Sequence, residues 1–129
     1  MDELVRWLGA QLDEDERTAR EAGGAAWEEL PVSGWVHTSP LPDTEWQPPG
    51  YDHHVASAPL PSDRAHIVRH GPARVLSEVA AKRQIIERCT RVQGLLLDDF
   101  TAEHLADDVL ALLALAYAGR PGYREEWRP

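Results

Sequence analysis

The chain has 129 residues, 43% of them apolar, with 13 basic against 22 acidic side chains and a formal net charge of −9. Such a length fits one domain with one core, and such a composition excludes disorder throughout. The acidic balance argues against unspecific binding of nucleic acid or an anionic membrane by the whole chain.

Residues 2–22 read as a first helix. Leu4, Leu8, Leu12, Ala19 and Ala22 recur at spacings of three and four, widened by Val5. Asp2 and Glu3 suit its N-terminal dipole, and Gly23-Gly24 stops it. Residues 25–70 differ in kind. Seven prolines between Pro31 and Pro61 forbid a long helix, while Trp27, Trp35 and Trp46 are more indole than a free linker uses. Short strands are expected near Gly34–His37, His53–Ser57 and Ala65–Val68, with mobility between Ser39 and Gly50.

Residues 72–93 read as a second helix, with Pro72 at its first position, Gly71 as its cap and Gly94 at its end. Val75, Leu76, Val79, Ala80, Ile86 and Cys89 form its inner stripe. Residues 101–118 read as a third helix, capped by Thr101 or Asp99, with Leu105, Val109, Leu112, Leu113 and Ala116 facing inward. Gly119, Pro121 and Gly122 end it, and the tail 119–129 is expected to fold Tyr123 and Trp127 back onto the core. The fold class is therefore α+β: a three-helix core with a small irregular β element between the first and second helices, in one domain.

The charge is uneven. Residues 1–63 hold 3 basic and 13 acidic groups, residues 64–94 hold 7 and 2, and residues 95–129 hold 3 and 7. Internal complementarity of these segments is the plainer reading, and a basic patch for an anionic ligand the sharper one. The single cysteine, Cys89, cannot form a disulfide within the chain and suits a reducing compartment. The start Met1-Asp2-Glu3 lacks the layout of a signal peptide, and the longest apolar run, Val109 to Ala118, is too short to span a membrane. A cytoplasmic protein is expected.

One pairing follows from periodicity. Asp15 falls on the Leu4–Leu8–Leu12 stripe, while Lys82 and Arg83 fall on the side of Val75, Val79 and Ile86. If the two helices pack antiparallel with Leu8 opposite Cys89, Asp15 meets Lys82. A network of Asp15, Glu16, Lys82 and Arg83 is expected, either fixing register or forming a charged pocket.

Three stretches carry a resemblance: Leu12-Asp13-Glu14-Asp15-Glu16, the run from His66 to Leu76, and the ending Pro121-Gly122-Tyr123-Arg124-Glu125-Glu126-Trp127-Arg128-Pro129. With these the chain resembles a family of short actinobacterial proteins, also found in their phages, that bears only a domain-of-unknown-function label. Two departures matter: Gly71 stands where such proteins usually show Asp, and Leu95–Phe100 stands where many carry cysteine pairs. No metal role of those cysteines carries over, and the resemblance implies no activity.

Candidate chemistry is sparse. His53, His54, His66 and His70 are possible metal ligands, but no HExxH glutamate and no CxxC accompany them. His70 is expected instead to bond local backbone. Glu103 and Asp107, with Asp108, faintly resemble the acidic helix of MazG-like nucleotide pyrophosphatases, which hold Mg²⁺ on helix carboxylates. Here His104 stands where a second acid belongs, so a solvated acidic face is the simpler reading. Cys89, on an inner stripe, reads as a buried thiol. Arg64, Arg69, Arg74, Lys82, Arg83, Arg88 and Arg91 lack the interleaved aromatics of a nucleic-acid surface.

No phosphate loop, GxSxG or dinucleotide fingerprint is present, and no cofactor is implied. The expected function is a non-enzymatic interaction or regulatory module with a protein partner, the Trp- and Pro-rich segment being either a partner-binding face or a small secondary core. The alternatives are a metal-dependent nucleotide hydrolase, a histidine-based metal binder, and an acidic decoy for a nucleic-acid-binding protein.

Overall fold

The computed structural model describes residues 1–30, 34–38, 54–95 and 100–129. In chain order its elements are α1 (Asp2–Glu21), β1 (Trp27–Leu30), β2 (Trp35–Thr38), β3 (His54–Ser57), α2 (Pro61–Arg69), α3 (Pro72–Gln93) and α4 (Phe100–Leu115), followed by a 3-10 turn at Glu125–Trp127. The fold is α+β, with a small antiparallel sheet between α1 and α2. Among the described residues there are four helices rather than three. Two compact units emerge: residues 1–16 with 78–129, and residues 17–77.

In the first unit α1 buries the leucine stripe that its spacing dictates. Leu4, Leu8 and Leu12 are fully enclosed, together with Val79, Cys89, Ala106, Leu110, Ala114 and Tyr117. Each enclosed leucine contributes about 1.5–3 kcal/mol relative to an exposed one. The inward face of α4 differs from the expected one. Ala106, Leu110, Ala111 and Ala114 are buried, whereas Leu105 and Leu112 point outward. A segment apolar all round carries no phase in its hydrophobicity. Three alanines and Leu110 take the inner side, where the alanines let neighbours approach closely.

The second unit is organised by its turns. Gly23, at φ +97°, ends α1 in a left-handed conformation that a Cβ would strain. The Gly23 amide donates to the carbonyl of Arg20 and the Gly24 amide to that of Ala19, which is the Schellman closure of a helix. Strand β1 pairs with β2 (Trp27 opposite Thr38, Leu30 opposite Trp35), and β2 pairs with β3, with an irregularity between Val36 and His37. Val36, His37, Ala58 and Arg64 are its most buried side chains, with Ala19.

The strand expected at Ala65–Val68 is instead the last half of α2. Pro61, preset for the first helical turn, and Asp63, favourable at a helix N-terminus, start that helix and override the β-branched pair Ile67-Val68. The outcome aims Arg64 inward: its Nε donates to Glu29 at 2.9 Å, and its Nη1 to the carbonyls of Ala58 and Pro59 at 2.8 and 2.9 Å. The expected strands at 34–37 and 53–57 fall at Trp35–Thr38 and His54–Ser57. Strand β1 was not foreseen. The range Ser39–Gly50 and His53 lie outside the described residues.

Candidate functional site

Ion pairs join α1 and α3 in the first unit, and their partners differ from the expected ones. Arg83 bridges Glu16 at 2.6 Å and Asp13 at 2.7 Å, and these two carboxylates hold its guanidinium above its ordinary pKa. Asp15 is met not by Lys82 but by Arg120, just beyond α4. Lys82 turns instead to Tyr117: its Nζ donates to the phenol oxygen at 3.0 Å and lies 5.2 Å from the ring centroid. The Arg120 guanidinium lies 4.8 Å from the same centroid. A buried tyrosine thus sits between two cations, each also near an acid: Glu78 lies 4.0 Å from Lys82. Tyr117 and Arg120 are the members that periodicity misses. An aromatic at the end of an apolar run gives no sign that it collects charges.

The tail folds back as expected. Trp7 of α1 lies with its ring centroid 5.6 Å from Tyr123 and 5.5 Å from Trp127, and its Nε1 donates to the carbonyl of Pro121 at 3.0 Å. Gly122, at φ +84°, lets the chain pass: a Cβ there would lie 3.0 Å from the indole nitrogen. A cavity of about 350 Å³ lies here, lined by Glu3, Arg6, Trp7, Gly122, Arg124 and Trp127. Its cationic position is already taken by the chain itself. Arg124 lies over the Trp127 ring at 5.4 Å and pairs with Glu3 at 2.5 Å. Beside it, Arg128 holds the Glu125 carboxyl below the ordinary carboxylate range.

The remaining candidates are dispersed. His66 and His70 both lie at the C-terminal end of α2, with ring centroids 4.2 Å apart, and His70 Nδ1 donates to the carbonyl of His66 at 2.8 Å. That bond caps the helix. His54 is on β3, where its Nε2 and Ser57 Oγ share a hydrogen bond of 3.0 Å. Glu103 and Asp107 are half-buried on α4, and Asp107 accepts from the Gln93 amide. Among the described residues, no three His, Cys, Asp or Glu side chains come together as a metal site. Cys89 is buried, and burial, then the Asp107 charge, pushes its thiol pKa up. Native protein is therefore expected to leave an aromatic disulfide reagent unreduced until denaturant is added. Rapid labelling of the folded chain would contradict that environment.

Among the described residues, several large apolar side chains are exposed, Phe100 and Leu60 among them, and two of them lie on the outer face of α4. Leu105 and Leu112 are 63% and 57% exposed, and they share a stripe with half-buried Val109 and exposed Ala116. Their spacing of four, three and four is that of a helix seam. Among the described residues no helix is long and apolar enough to cross a membrane.

One family model matches the chain. It covers residues 1–129 and is described as a family of unknown function (DUF6221). No curated protein and no solved structure matches.

Proposed function

Since the chain belongs to this family of unknown function over its whole length, we propose that it is a small, non-enzymatic, cytoplasmic interaction module that docks through the outer face of α4. One observation carries the reading. The helix leaves Leu105 and Leu112 in solvent, with half-buried Val109 between them, while it buries Ala106, Leu110, Ala111 and Ala114. Leucines left in water forgo about 25 cal/mol for each Å² of apolar area, a stabilisation that a docked partner would recover.

The test is a photo-crosslinking amino acid placed at Leu112 in cells, with Ala10, exposed on α1, as the control. Discrete protein adducts are expected at position 112 and none at position 10. An absence of adducts at 112, with the fold intact, would sink the reading.

A further inference from the structure

Resting on the docking reading above, we infer that the occupant of the α4 face is a basic amphipathic helix of another protein. The seam from Leu105 to Ala116 spans about 16 Å of helix, or three turns. A surface of that shape accepts a helix carrying apolar residues at the same alternating spacing, packed at a shallow angle. The charge around the seam selects which helix.

Helix α4 carries Glu103, Asp107 and Asp108 and no lysine or arginine. Glu103 and Asp107 are half-buried. Asp108 is exposed and flanks the seam midway between Leu105 and Leu112, and it forms no ion pair among the described residues. An incoming helix therefore meets one acid at the centre of its edge, inside a chain whose net charge is −9. A lysine or arginine beside the partner's apolar stripe answers that acid and steers the encounter. A second copy of the chain does not. Two α4 helices paired antiparallel about the seam's midpoint would bring the two Asp108 residues to the same edge, with no lysine or arginine on either helix to separate them and only His104 one turn away.

The probe is a synthetic peptide helix with leucines at the seam spacing and lysines along both edges, compared with the same peptide carrying glutamates instead. Binding to the full chain is followed by fluorescence anisotropy, and self-association by sedimentation. The lysine peptide is expected to bind more tightly, and Leu112→Glu to abolish that binding. Asp108→Lys is expected to shift the lysine-to-glutamate preference by about tenfold. Asp2→Lys, the same charge change at the far end of α1, is expected to leave it nearly unmoved.

Three results would overturn the inference: equal binding of the two peptides, an equal response to Asp2→Lys and Asp108→Lys, or a chain that dimerises through Leu112 without peptide. If position 112 still crosslinks to a protein in cells, those results remove only the basic helix and leave the docking face standing. If it does not crosslink, both fall.

Discussion

Replacing Arg64 by alanine is expected to destabilise the unit of residues 17–77 by about 3 kcal/mol, one of the largest single effects in the chain. Arg64 is 6% exposed. Its guanidinium supplies the hydrogen bonds of two backbone carbonyls, Ala58 and Pro59, and neutralises Glu29 on β1. Removing it leaves those acceptors facing a hole where water enters poorly. Each buried acceptor without a donor costs about 1–3 kcal/mol, so the sum exceeds the value of an exposed ion pair. Lysine is expected to recover little, because one ammonium cannot present the fork that reaches strand and loop together. Hydrogen exchange at the amides of β1, β2 and α2 is the measurement. Protection there should fall by about a hundredfold, and a loss below tenfold would show that the carbonyls find other donors.

Trp7→Ala is expected to cost about 3 kcal/mol and to release the tail. This is the lower end of the range for removing a buried tryptophan, since Trp7 is only partly enclosed. Two aromatic contacts and the hydrogen bond to Pro121 disappear together. With them goes the reason for the tight passage at Gly122. Limited trypsin digestion reads the change directly, because the Arg124–Glu125 bond lies in the tail. Cleavage there should become much faster than in the parent chain, while an unchanged digestion pattern would mean that the Arg124–Glu3 pair holds the tail alone.

The legible parts of this fold are those with a strong local cause. Two glycines at the end of α1 and a proline at the start of α3 set those boundaries, and the leucine spacing of α1 gave its buried face correctly. Helix α2 escaped because Ile67-Val68 favours a strand locally while Pro61 and Asp63 favour a helix, and only tertiary placement of Arg64 decides between them. The rotation of α4 escaped for a different reason: a helix apolar on every side has no preferred face until its neighbours exist. In the charged cluster, Arg83 finds Asp13 and Glu16 of α1, but no periodicity reaches Arg120, which sits in the turn beyond α4 and takes Asp15. The four histidines show the opposite failure. Their proximity in sequence invites a metal, and yet His66 and His70 close the end of a nine-residue helix.

The bond from Trp7 to Pro121 joins residues 114 positions apart. During synthesis the indole leaves the ribosome first and its acceptor last, an interval of about 6 to 23 s at ordinary elongation rates. Throughout that time the N-terminal half of α1 offers an uncovered tryptophan to whatever is near the exit tunnel. Completion of this unit therefore waits on residues 121–127, and α1, made well before them, is among the last of its elements to be secured.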